Sequence, residues 1–449
     1  MEARYAFRKS QLLDECQIAP EIFEQVIPRL YTFMKPFVHI FQGQAADQHA
    51  KTYVCGLLSN VERKNIESIA YRFGQSRLPL QSFIGWDEWD DAPLRDELRG
   101  QVKTHLGQGD GVLVFDPSGF PKSGRESVGV ARQWCGRLGK VDNCQVAIYL
   151  GYVSRKGHTL VDTRLYLPKE WTKEKARLDK AGVPTAYRAY RTRHQLALEM
   201  LAKSGASLPH RWIAGDDEMG RPYWFRRRLA ALGEQYLLAV PSNTSMRDVE
   251  VEPPEYSGRG RRPQRPWQSV EAWSQSLDEK AWYRIDVRDG SKGPLVVEAV
   301  KRRVVSRTHR RQQGDEELLA VIRYRDRDQD AVVKVDYYLS NAPPQTPLWE
   351  LARVAKAEHR IEECLQRSKS EAGLADYEVR NWTGWQHHHT LSLLATWFLV
   401  RETQRGKKMD ACHHATADSP GHCGNLARGV SMRHDVADVG RTPEALAAQ

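Results

Sequence analysis

Cysteine is scarce and unorganised in this chain: seven in 449 residues, at 16, 55, 135, 144, 364, 412 and 423. No CxxC pair recurs, which argues against a disulfide framework and for a reducing cytosol as the setting. Long apolar runs are missing too. The longest, Leu391 to Val400, is broken by Ser392 and Thr396 and is too short to span a bilayer. The opening residues, Met1-Glu-Ala-Arg-Tyr-Ala6, hold no apolar core of a secretion signal. There is no internal repeat. Acid excess is also lacking: 67 Lys and Arg against 57 Asp and Glu leave a net charge of +10. That balance points to a polyanionic partner, nucleic acid before membrane. The length suffices for about two or three domains with a large core.

The most informative stretch is Gly111-Val-Leu-Val-Phe-Asp-Pro-Ser-Gly-Phe-Pro-Lys122. Four apolar residues in a row, Val112 to Phe115, predict a strand buried on both faces. Pro117, Gly119 and Pro121 predict that it ends at Asp116. A carboxylate would then stand at the carboxyl end of a central strand, where open α/β sheets gather ligands. The plainer alternative is that Asp116 merely opens a turn.

Residues 1–105 show helical spacing (Ile22-Phe23, Val26-Ile27, Leu30, Phe33) and no strand alternation. They predict a small helical domain, either a DNA reader or a cap. Residues 106–244 predict strands at Val112–Phe115, Val146–Leu150 and Leu160–Leu167, with a turn at Arg155-Lys-Gly157. A helix from Pro184 to Gly205 follows, then a strand over Arg211–Asp216, a helix over Tyr223–Leu232 and a strand over Tyr236–Val240. The order βββ-α-β-α-β makes an α/β fold with a mixed sheet.

Residues 245–344 predict an inserted β subdomain, entered through the Pro/Gly/Arg-rich stretch 253–267. Its strands fall near Trp282–Val287, Leu295–Val305, Leu318–Tyr324 and Val332–Leu339. Arg302, Arg303, Arg310 and Arg311 lie on or beside them. They are candidates for gripping a phosphate backbone, the alternative being a charged edge strand that resists pairing. Residues 345–404 predict two helices. Glu362, one step from Ile361, sits at the edge of the first helix's apolar stripe. The triple His387-His-His389 cannot all ligate one ion, because helical neighbours point about 100° apart. Packing or DNA contact suits it better. Residues 405–449 predict a disordered tail, and Cys412-His-His414 with His422-Cys423 fits no standard zinc spacing.

Three acids thus stand in order: Asp116, Asp216 and Glu362. Converging carboxylates need cations, and oxygen-only ligation suits Mg²⁺ or Mn²⁺. Asp217 competes with Asp216, which directly ends its predicted strand.

Over roughly residues 20–405 the sequence resembles the DDE transposases of bacterial insertion sequences, in the hairpin-forming group with a β insertion. Asp116-Pro-Ser118 is similar to the first-acid motif. Phe120-Pro-Lys-Ser-Gly124, Ser127-Val-Gly-Val130 and Gly139-Lys-Val-Asp-Asn-Cys-Gln145 resemble one subgroup's extended signature. Asp216-Asp-Glu-Met-Gly220 resembles the second-acid motif, and Glu362 with Lys369 the third, Glu-x6-Lys. Gly373 to Arg380 and the Trp-rich helix after it extend the likeness. The resemblance implies an RNase H-like core in which Asp116, Asp216 and Glu362 hold two Mg²⁺ or Mn²⁺ ions. It also implies an enzyme that cleaves and joins double-stranded DNA, at element ends and target, as a homodimer on the DNA beside the nucleoid. Lys369, Lys122 and Arg360 are candidate DNA contacts. Two places depart from the pattern: Ala355 and Glu358 stand where the group has Tyr and Arg. The tail after Lys408 departs as well. The alternatives are another RNase H-like nuclease, such as a resolvase, or a decayed copy that only binds DNA.

Overall fold

Apolar side chains at Leu30, Met34 and Phe37 recur at helical spacing, and a helix forms there with all three buried (α1, Val26–Val38). Four more follow: α2 (Gln44–Leu58), α3 (Ile66–Arg72), α4 (Arg77–Gly85) and α5 (Ala92–Leu106). Asn65 caps α3 by accepting from the Ser68 N–H at 2.8 Å. The computed structural model describes residues 25–416, apart from 42, 261, 291, 292, 309, 311 and 326–330.

Strands then take over: β1 (Val112–Pro121), β2 (Ala131–Cys135), β3 (Lys140–Ser154) and β4 (Gly157–Leu165). Short helices α6 (Lys169–Lys173) and α7 (Lys175–Lys180) lead to α8 (Arg193–Lys203), β5 (Trp212–Gly215), α9 (Asp217–Gly220), α10 (Tyr223–Ala231) and β6 (Tyr236–Val240). The segment 245–344 supplies β7 (Ser245–Asp248), β8 (Gln268–Ser269), α11 (Val270–Gln275), β9 (Tyr283–Gly290), β10 (Gly293–Arg307), β11 (Gln313–Arg325) and β12 (Val332–Ser340). Two long helices close the described chain, α12 (Leu348–Glu371) and α13 (Trp382–Thr416).

Among the described residues all twelve strands join one sheet, in the order β2-β3-β1-β5-β6-β12-β11-β10-β7-β8, with β4 also on β3 and β9 on β10. β1 runs antiparallel to β3 and parallel to β5, and β5 is parallel to β6. β12 pairs antiparallel with β6, so the segment 245–344 continues this sheet. A buried ion pair ties the two parts: Arg226 on α10 donates to Glu317 on β11 at 2.7 Å, each about 3% exposed. Helix α12 lies across the sheet, with Ile361 seated so closely on Gly151 of β3 that a Cβ there would overlap it. Helix α13 runs through the centre: Trp385 and the run from Leu391 to Leu399 are buried. No helix of the described residues is long and apolar enough to cross a membrane.

Four expectations are corrected. β1 does not stop at Asp116 but continues to Pro121 along β3. Its pairing with β5 ends at Phe115↔Gly215, so Pro117 lacks an N–H only on an edge that needs none. The helix expected from Pro184 is a single turn at Thr185–Tyr187. The true helix starts at Arg193, where Thr192 and Gln195 form a capping box. Before β3 lies an unexpected strand, β2, whose polar and exposed residues hid it. The tail expected from residue 405 is helical to Thr416, and residues 417–449, with His422 and Cys423, lie outside the described residues.

Candidate active site

The register of β1 and β5 decides what meets at the sheet's edge. Their last in-register pair is Phe115↔Gly215, so Asp116 and Asp216 are the next residues on two adjacent parallel strands. Neighbouring strands lie about 4.8 Å apart, and in-register residues share a face. Asp216 leaves β5 as the N-cap of α9, and its Oδ1 accepts from the Met219 N–H at 3.0 Å. The four-residue turn is tight: Met219 is fully buried, and a Cβ at Gly220 would run into the Ala239 carbonyl oxygen. This gives the Asp216-to-Gly220 motif its physical reason. Asp217 is half exposed and turns away to Arg221 at 2.8 Å.

Both aspartates are half-buried, with Lys369 bearing on Asp116 and Arg193 on Asp216. Burial, then the negative charge of Asp216, pushes Asp116 up to about 8, with Lys369 opposing. Burial likewise raises Asp216 to about 7, against the hydrogen bond from Met219 and with the charges of Glu218 and Asp217 adding to it. A third carboxylate feels both. Glu358 on α12 is held well above the ordinary range by burial and then by the charges of Asp216 and Asp116. It is the functional candidate that sequence reasoning passed over, and the signal was there: it stands four residues before Glu362, on the same helical face.

Glu362 itself is placed on that face but faces outward, with its side chain 74% exposed and His359 Nδ1 at 3.6 Å. The neighbouring His359 holds Glu362 below the usual carboxylate range, and the charge of Glu362 still bears on Asp116. Glu363 takes the other ring nitrogen of His359 at 3.4 Å. Lys369 docks the far end of this face onto β1: its Nζ donates to Ser118 Oγ at 2.6 Å. Among the described residues no three His, Cys, Asp or Glu side chains stand together closely enough to hold one ion. As a donor set, however, the acids are all-oxygen and crowded, and the two aspartates are held partly protonated. That is the chemistry a hard divalent cation relieves.

The expected DNA contacts fare unequally. Lys122 donates to the Tyr377 carbonyl at 2.9 Å and lies over the Tyr377 ring, so it serves packing rather than phosphate. Arg302 pairs with Asp248 at 2.7 Å and Glu250 at 3.0 Å, and Arg303 pairs with Glu316 at 2.6 Å. Their strand, β10, is flanked on both sides and is no edge. Arg310 is exposed, Arg360 is half-buried, and Arg311 lies outside the described residues. The three histidines are buried packing groups. His387 stacks on Trp89 at 3.5 Å, His388 bonds Tyr53 Oη at 2.8 Å, and His389 Nδ1 bonds the Trp385 carbonyl at 2.9 Å.

A large mixed sheet with two acids side by side on its parallel strands defines an α/β protein with an acidic candidate site at the sheet edge. The sequence pattern of the family described as DDE superfamily endonuclease matches residues 36–294, more than half of the chain, and the chain belongs to that family. The match includes Asp116 and Asp216 and stops short of Glu362. Over 95 residues, 21% of the chain, it is also 34% identical to a probable transposase for insertion sequence element IS701 from Microchaete diplosiphon. That stretch spans 25% of the relative's length.

Proposed function

We propose that this chain is a transposase that cuts and rejoins double-stranded DNA at the ends of an insertion sequence, on an RNase H-like core. The observation that carries the proposal is the placement of Asp116 and Asp216 side by side, both held above the ordinary carboxylate range. Asp116, Asp216 and Glu362 would hold two Mg²⁺ or Mn²⁺ ions. Such ions, when bound, supply Lewis-acid stabilisation and an activated nucleophile for in-line displacement at phosphorus. The substrate exchanges one P–O bond for another: water displaces a 3′-oxygen, and the freed 3′-OH displaces another at the target.

The chain's own residues set the geometry. Asp216 is fixed by the Met219 N–H, so one of its oxygens has its direction preset. Lys369, bonded to Ser118 two residues past Asp116, brings positive charge to where a phosphate would lie. Glu362 joins the aspartates by leaving His359. Glu358 is a second reading for the third ligand, favoured by its burial within reach of the charges of Asp216 and Asp116. Hairpin formation, two ions and a homodimer on the DNA belong to the same reading by resemblance.

The test is cleavage of DNA carrying the gene's flanking terminal repeats, with Mg²⁺, by the full chain and by Glu362→Gln, Glu358→Gln and Glu363→Gln. Glu362→Gln should abolish cleavage while leaving DNA binding intact, and Glu363→Gln should be mild. Loss with Glu358→Gln alone would transfer the third position to Glu358. Undiminished cleavage by all three would place the metal site elsewhere.

A further inference from the structure

The hairpin formed by β2 and β3 carries an apolar tip with no structural use. Trp134 is 55% exposed, Val141 52% and Leu138 42%. Trp134 and Val141 are directly opposed across the two strands, on the same face as the exposed Arg132. Between the strands, Gly136–Leu138 make one 3₁₀ turn closed by Gly139 at φ +62°, a conformation that favours glycine. Exposed edge hairpins are ordinarily kept soluble by charge and polar residues, so a paired Trp and Val there ask for a partner.

The opposite face of the hairpin is tied to the acids. Arg193 donates to Gln133 Oε1 at 3.3 Å and pairs with Glu218 at 2.7 Å, two residues past Asp216. Cys135 packs on Gly119, where a Cβ would lie 3.1 Å from its Sγ, three residues past Asp116. Arg137 at the tip is close enough to affect Lys369 and Asp376.

We propose that the exposed face of this hairpin stacks Trp134 on an unpaired base of the DNA strand being cut, with Val141 and Leu138 completing the platform. Arg132 and Arg137 supply the charge complementarity for flanking phosphates; Lys140, opposite Cys135, lies on the other face and pairs with Asp142 at 2.9 Å. Three apolar side chains are too few for a stable protein interface, which needs about 800 Å² per partner. They suffice for one base, since every base offers a π-face to an indole. The inference rests on the DNA-cleaving function proposed above.

The test uses two DNA duplexes, alike except that one carries a single bulged 2-aminopurine, without divalent cation so that no strand is cut. Wild-type chain should prefer the bulged duplex and quench its fluorescence. Trp134→Ala should weaken binding to that duplex by about 5- to 150-fold, with binding to the paired duplex and the melting temperature unchanged. Trp134→Phe should restore most of the preference. If Trp134→Ala keeps the preference, or if wild type binds both duplexes equally, the hairpin is not a base platform, and the cleavage function stands. If wild type binds neither duplex, both proposals fall.

Discussion

Replacing Asp116 with Asn should make the metal-free protein more stable, increasingly so as the pH rises from about 4 to about 8. Asp116 is raised to about 8 in the folded chain by burial and then by Asp216, whereas an unfolded Asp titrates near 3.9. Between those values the folded state holds a proton that the unfolded state has lost, so stability falls as pH rises through the window. The gap between those two values, at about 1.36 kcal/mol per tenfold step, sets a ceiling of about 5–6 kcal/mol. Buried coupled carboxylates relax and admit water, so about 2–3 kcal/mol is the working figure. For a chain this long, at about 2.1 cal/mol/K of unfolding entropy per residue, that corresponds to a rise in melting temperature of about 2–3 °C. Asn keeps the shape and cannot ionise. The gain over wild type should therefore be full at about pH 8 and reduced to about a quarter at pH 5. Added Mg²⁺ should stabilise wild type alone and close the gap. Thermal melts across this pH range, with and without Mg²⁺, measure it. A destabilised Asp116→Asn at every pH would show that Asp116 is a structural carboxylate with satisfied partners, contrary to the reasoning.

Other expectations follow from named contacts. Arg226→Ala should cost about 3–5 kcal/mol in urea melts, because it leaves Glu317 buried without its cation. Arg226→Ala at wild-type stability would mean that water replaces the pair. Arg302→Ala with Arg303→Ala should leave the salt dependence of DNA binding nearly unchanged, since both guanidiniums already face acids. A log–log slope lowered by about 0.9 per residue would instead assign them to phosphates. Lys369→Ala should reduce cleavage more than DNA affinity, because its ammonium sits at Ser118 beside Asp116. Equal losses in both would make it a general phosphate contact.

What the sequence made legible was whatever local patterning enforces. The apolar run of Val112 to Phe115 announced a buried strand, and the helix expected to carry Glu362 is α12, Leu348–Glu371. Asp216 follows its strand directly, as expected, whereas Asp116 does not end β1. What stayed hidden depends on tertiary partners. Pro117 looked like a strand breaker because sequence does not show which edge β5 leaves free. The arginines of β10 looked available because their acids, Asp248 and Glu316, come from strands distant in sequence. Strand β2 lacks apolar alternation because its inward face carries Gln133 and its solvent face carries Trp134. Glu358 was noted only as a departure from a motif, since its meaning lies in what faces it.

The most direct test of the central claim is calorimetric titration of Mn²⁺ into the wild-type chain and into Asp116→Asn, in two buffers of different ionisation enthalpy near pH 7. A site built on Asp116 and Asp216, raised to about 8 and about 7, must release protons as the cation binds. Wild type should bind Mn²⁺ with a buffer-dependent heat equivalent to about one proton, and Asp116→Asn should lose most of that binding. Equal Mn²⁺ affinity in both proteins, with no buffer dependence, would contradict the assignment of these two aspartates as the metal site.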